Sequence, residues 1–394
     1  MRSRAGASAP RRALVCFGLT ACLAGIAACS SAVSDSQEEP TQLIMAEFVG
    51  ALQVALPPSL SHEKFADPSR RAEILAALHV LAANSGRLDR HAAGGESGFA
   101  YLSYSLARDV RDIEQRFGEG RTDEARFLLQ LVTAVCVACH SRLPDEQPRP
   151  LGRRLMAAQE LAALPPAERA QFEMATRQFD AAAASFEAVF SDPSSSPADF
   201  DLTGHLDSYL ELCLQVQNDP KRASRTLRKL AERDDLLSQQ RANVKAWIES
   251  IPTLPAGVPL EAAIPQARAL IVKAEDRERF PDERQALPTY IAASGLLHRY
   301  IAAQTKVDLQ VGRAYFLLGV IEFKIGRSFW ASQTEQFLET AIRIGPAEPY
   351  AAEAYALLEE FVVAGYTGSS GTHVPPEIRD HLAELRSLID AAGS

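Results

Sequence analysis

Apolar residues recur three and four positions apart along almost the whole chain beyond residue 40, and runs alternating apolar with polar are missing. That is the period of amphipathic helices, not of strands. The first pattern runs from Thr41 to Leu56, places Ile44, Phe48, Leu52 and Leu56 on one stripe, and is expected to stop at Pro57-Pro58. The second opens at Asp67-Pro68, a cap followed by a proline in the first turn, and carries Ile74, Leu75, Leu78, Leu81 and Ala82. Gly86 to Gly98 reads as a loop. The third carries Phe99, Leu102, Leu106, Val110, Ile113 and Phe117 and ends at Gly118. The fourth opens near Thr122-Asp123, carries Ala125, Leu128, Leu129, Val132, Val135, Cys136 and Cys139, and is ended by prolines at 144, 148 and 150. Four such helices with short connections predict an up-down-up-down bundle over 41–143.

A Pro-rich linker, 144–151, marks the boundary. Helical pairs follow over 152–392. Arg177 to Pro193 resembles the second helix of a tetratricopeptide (TPR) repeat, with small Ala182, large Phe186 and terminal Pro193 at the expected offsets. Leu206 to Leu214 with Pro220 to Leu230 looks like a second unit, and Tyr315 through Leu338, Ala341 and Pro346 like a third. Residues 252–265 are Pro-interrupted, 283–304 helical but less regular, and another helix starts at Pro349. After a Gly/Ser loop, 365–371, a final helix from Pro376 to Ala392 is expected to cap the stack. The fold class is therefore all-α: a four-helix bundle followed by an α-solenoid of TPR-like hairpins. Each hairpin must stack on its neighbours to bury its apolar face, leaving a groove that TPR proteins use for peptide or protein ligands.

The chemistry lies in Cys136-Val137-Ala138-Cys139-His140. A C-x-x-C-H run in an exported chain reads as the attachment site of one covalent haem c. Each thiol adds across a vinyl group to give a thioether, and His140 brings an imidazole nitrogen to the iron. Positions three and four apart share a helix face, so all three side chains point the same way. From six Cys and eight His in 394 residues, chance supplies on the order of 0.002 such runs. The rival readings lack company: half a zinc site has no second C-x-x-C or H-x-x-x-H, and a thioredoxin-like pair would follow a strand in a βαβ pattern.

Placement of the motif on the last of four helices resembles cytochrome c′ and its low-spin relatives, over about 100 residues; in the small class I cytochromes it comes early. Ser141-Arg142-Leu143-Pro144 departs from the aromatic-plus-basic ending expected after the histidine, which puts the haem edge in doubt. The resemblance implies a methionine as sixth ligand near the start of the first helix, and Met45 lies there, level with His140 at the same end of the bundle. The competing reading is that Met45 is a core residue, as most helical methionines are. His79, within the apolar face of the second helix, is expected to be a satisfied core residue, while His62 and His91 read as solvated loop residues. Arg142 is a candidate partner for a haem propionate or a plain surface arginine.

Arg2, Arg4, Arg11 and Arg12 precede an apolar stretch, Ala13 to Ala28, too short to remain as a membrane span. Ile26-Ala27-Ala28-Cys29 resembles a bacterial lipobox, implying that 1–28 is a lipoprotein signal peptide and that Cys29 is lipidated; Leu19-Thr20-Ala21-Cys22 is the competing site. Ser30 implies sorting to the outer membrane, facing the periplasm. Residues 29–40 read as a flexible tether. Of six cysteines, Cys16 and Cys22 leave with the leader, and only Cys213, in an apolar run, has no assigned chemistry; it is expected to be a buried inert thiol.

The net charge is −9, and loss of the leader's four arginines, with no acid among them, takes it to −13. So acidic a chain repels phosphate backbones, which argues against nucleic acid and favours a basic redox partner. His205, His298, His373 and His381 are scattered, and no catalytic motif accompanies them. Trp247 and Trp330 read as core or capping residues. The leading expectation is a membrane-anchored electron carrier with a docking domain, not an enzyme. The alternatives are a five-coordinate haem protein binding NO or CO, with Ile44 and Phe48 on its distal side, and an envelope interaction scaffold in which haem is secondary.

Overall fold

The computed structural model describes residues 32–92, 97–140, 150–157, 159–202, 204–278, 284–326 and 333–393. The leader, Cys16, Cys22, Cys29, Arg142 and Trp330 lie outside the described residues. The chain is all-α. Its only described strands are β1 (Thr367–Gly368) and β2 (Gly371–Thr372), a two-residue antiparallel ladder in the segment expected to be a Gly/Ser loop.

The first body contains α1 (Ala32–Ser59), α2 (His62–Ala66), α3 (Arg71–Ala92), α4 (Ser97–Gly118) and α5 (Thr122–His140). Helix α1 packs on α3, α3 on α4 and α4 on α5, and α5 returns to α1. Their shared core holds Phe48, Leu52, Ile74, Leu78, Leu81, Val110, Ile113, Leu129 and Val132. Three side chains from beyond the proline-rich break, Leu155, Leu161 and Phe172, belong to the same core.

Several boundaries differ from the sequence expectation. Helix α1 begins at Ala32, so most of the segment read as a tether continues it, and it runs through Pro57-Pro58 to Ser59. Those prolines occupy the last turn, and the buried Ser59 carbonyl at the helix end accepts from Gln130 (2.7 Å) and Arg126 (3.3 Å) of α5. Asp67 does not cap α3; its Oδ1 accepts the Ser69 amide and hydroxyl, both at 2.8 Å, and α3 starts four residues later. In place of a loop, Ser61 caps the short α2, which seats Phe65 edge-on to Phe117 at 5.0 Å. Helix α3 continues through Gly86 to Ala92, because the residues read as loop include Leu88, which is buried.

The second body contains α6 (Pro150–Met156), α7 (Gln159–Ala162), α8 (Pro166–Ala175), α9 (Phe179–Ser191), α10 (Pro197–Leu202), α11 (His205–Glu211), α12 (Pro220–Ala231), α13 (Ser238–Ser250), α14 (Ala263–Glu275), α15 (Leu287–Ala302), α16 (Leu309–Ile325), α17 (Thr334–Ile344), α18 (Pro349–Gly365) and α19 (Pro376–Ala392). A π turn, Leu212–Val216, continues α11. Helices α8 and α9, α14 and α15, α16 and α17, and α17 and α18 pack as neighbours around a continuous core that includes Phe186, Cys213, Trp247, Tyr290 and Leu338. Cys213 is fully buried, and Trp247 is a core residue whose indole donates to the Arg284 carbonyl at 2.6 Å. Small residues set the closest approaches: a side chain at Gly319 would meet Leu338 Cγ at 2.6 Å. A polar cluster is set into this body, where the half-buried Glu187 accepts from Arg222 (2.6 Å) and Tyr209 (2.9 Å), and the Thr226 hydroxyl lies 2.7 Å from that of Tyr209.

The bodies meet in two main regions. Helix α5 packs on α8 and α1 on α6 at the first, and α4 packs on α17 at the second. At the second contact burial raises the Glu335 carboxyl above its ordinary range, with Glu339 adding to the rise and His381 and Arg108 opposing it.

Two outcomes follow from this packing. Gly319→Ala forces its methyl onto Leu338 and is expected to cost about 1–3 kcal/mol of stability, measured by urea unfolding. A chain ending at residue 149 loses Leu155, Leu161 and Phe172 from the first core, and its urea midpoint is expected to fall well below that of the full chain, since each lost buried side chain costs on the order of 2–5 kcal/mol.

Candidate functional site

Helix α5 carries the C-x-x-C-H run in its last turns, between the two bodies. Thr122 to Glu124 favour the helix start, and His140 lies in the last turn, where an imidazole suits the dipole. Cys136 packs with the first core, whereas Val137, one residue on, packs against the second. Cys136, Cys139 and His140 are each half-buried.

Cys136 and His140 open onto a cavity of about 290 Å³, near the small end of the range for ligand pockets. Met45, Phe48 and Leu52 of α1 form one wall and Leu129, Val132 and Thr133 of α5 another. Leu151, Gly152 and Leu155 of α6, with Phe172, Ala175, Thr176 and Arg177 at the end of α8, close the third. Met45, half-buried, therefore shares this cavity with Cys136 and His140, as the helix register requires; Cys139 is not among the lining residues. Ile44 is buried in the core rather than at the cavity, and Phe48 lines it.

The histidine is oriented from across the seam. His140 Nδ1 lies 2.6 Å from the Ala175 carbonyl. A carbonyl only accepts, so Nδ1 carries the hydrogen, which fixes the tautomer of the neutral ring. Arg177 Nη1 donates to the His140 carbonyl at 3.4 Å. The turn that supplies both partners is a Schellman ending of α8: Gln178 N donates to Glu173 O (2.7 Å) and Arg177 N to Met174 O (3.0 Å). Arg177 thus occupies the left-handed position, φ 59°, where glycine is the usual choice. Gly152 lets α6 lie against this turn, because any Cβ there would collide with the Thr176 carbonyl and stand 2.9 Å from the Gln178 amide nitrogen.

The other sequence candidates do not converge here. His62 pairs with Asp123 at 2.9 Å on the surface. His79 is not a core residue: it is exposed and meets Glu114 at 2.8 Å, because the α3 stripe turns it outward beside the buried Leu78. His91 falls in the last turn of α3, not in a loop. Among the described residues no three His, Cys, Asp or Glu side chains come together as a metal cluster. Sequence reasoning missed Gly152, Phe172, Ala175, Thr176 and Arg177, all from the second body; Ala175 acts through its backbone, which leaves no mark on residue type. Comparison with family profiles, curated proteins and solved structures finds no match to this chain.

Burial, and secondarily Cys139 beside it, pushes the Cys136 thiol from an ordinary 9.0 up to about 12. In protein made without haem attachment, this favours the neutral thiol. The stabilisation is whole below pH 9 and disappears as pH rises from about 9 toward 12. Iodoacetamide is accordingly expected to label Cys136 of that folded protein roughly a thousandfold more slowly at pH 8 than in urea, as followed by mass spectrometry.

Proposed function

We propose that this chain is a membrane-anchored, periplasm-facing c-type cytochrome that carries single electrons. On this reading it holds one haem at the end of a cytochrome c′-like four-helix bundle, and TPR-like repeats over 152–392 dock a partner protein or peptide. The observation that carries the reading is the pairing of C-x-x-C-H with a histidine whose Nδ1 is already bonded to Ala175, on a cavity shared with Met45.

The residues present fit the group. Cys136 and Cys139 offer two sulfurs for thioether bonds, and His140 offers Nε2, made more basic by the Nδ1 bond. Met45 offers a thioether as sixth ligand, a soft donor that favours the reduced iron. Phe48, Leu129, Val132, Leu155 and Phe172 keep water from the cavity, which also favours the less charged oxidation state. The haem, once bound, supplies the one-electron iron couple. Lipid on Cys29 would tether the chain to the membrane and raise its encounter rate with envelope redox partners.

The test is an absorption spectrum and redox titration of full-length protein made in a host with c-type maturation. A covalently held haem with a reversible one-electron wave and a low-spin reduced spectrum is expected, and Met45→Leu should convert it to a high-spin ferrous form that binds CO. A colourless protein whose Cys136 and Cys139 both alkylate in urea would overturn the reading. A wild-type spectrum already high-spin, with tight CO binding, would instead select gas binding.

A further inference from the structure

Helix α12 reverses the charge of the chain that carries it. It holds Lys221, Arg222, Arg225, Arg228 and Lys229 and no acid, in a chain of net charge −9. Ala223, Leu227 and Leu230 bury its inner side. Its exposed residues are Lys221, Arg225, Arg228 and Lys229, so the outer side is entirely cationic. Arg222 is held by Glu187 at 2.6 Å, whereas none of those four forms an ion pair with a described residue. Folding alone does not call for this arrangement. Cations three and four apart on one helix face repel each other, and Lys221 in the first turn meets the positive end of the helix dipole. A chain with a surplus of acid gains no solubility from them.

We propose that the outer side of α12 docks an acidic stretch of a partner protein, one helix or strand wide, with carboxylates set along Lys221, Arg225 and Arg228. The arginines can each take a carboxylate through two parallel hydrogen bonds. From Lys221 to Lys229 the stripe is about 12 Å long at the helical rise. Carboxylates bracket it, with Asp180 and the capping Asp219 at its start and the exposed Glu232 and Asp234 beyond its end. A flat anionic surface such as a bilayer would meet those carboxylates together with the cations; a narrow acidic segment meets the cations alone. Helix α12 also has no exposed apolar residue to enter a bilayer. The inference stands apart from the haem and from the repeat groove, because the stripe lies on the outer side of a single helix.

The test titrates full-length protein with a fluorescent deca-glutamate peptide, followed by anisotropy. Binding is expected at low ionic strength and should weaken about tenfold on raising salt from about 20 to about 200 mM. Reversing the stripe with Lys221→Glu, Arg225→Glu and Arg228→Glu together should weaken it by about tenfold or more. Lys64→Glu, Arg268→Glu and Lys306→Glu together make the same change of net charge at exposed positions on other elements, and should stay within about threefold of wild type. Should the reversed stripe fail to fold, glutamine at the same three positions takes its place and should also weaken binding. Wild type that ignores the peptide, or a control set weakened as much as the stripe set, overturns the proposal. So does a preference for phosphatidylglycerol over phosphatidylcholine vesicles that the stripe variant loses while the peptide stays unbound; that outcome selects a lipid surface. Coloured protein that ignores the peptide defeats this inference and leaves the haem reading standing.

Discussion

The hydrogen bond from His140 to the Ala175 carbonyl joins the last turn of one helical body to the first hairpin of the other. It fixes the ring's tautomer and orientation, and it holds only if α8 ends where it does. That ending depends in turn on the Schellman bonds around Arg177 and on Gly152, whose missing side chain admits α6 to the turn. Leu155, Leu161 and Phe172, buried in the first core, keep the second body in register with the motif. The cavity is thus a product of both bodies, and neither contains it alone.

Periodicity revealed the helices well where a proline marks their start: Pro220, Pro349 and Pro376 each open a helix at the expected residue. It did less well where tertiary contacts override local signals. Pro57-Pro58 sits inside a helix because side chains of α5 satisfy its end, and Gly86 is carried along by the burial of Leu88. A stripe also says little about a residue at its margin, which is why His79 falls on the outer side.

At the site, spacing alone was enough to place Cys136 and His140 on one face, and helix order brought Met45 level with them. The remaining wall was illegible for a physical reason. Arg177 and Gly152 act through contacts between segments that sequence patterns do not pair, and Ala175 contributes a carbonyl that every residue possesses. A left-handed arginine is visible only in coordinates.

The contact of α17 with α4 gives the molecule a second junction, far along the chain from the first. A rod joined at one end can swing freely; fastened at two points, it becomes the chord of a closed ring. Flexing anywhere in the intervening helices must therefore be absorbed at one clasp or the other.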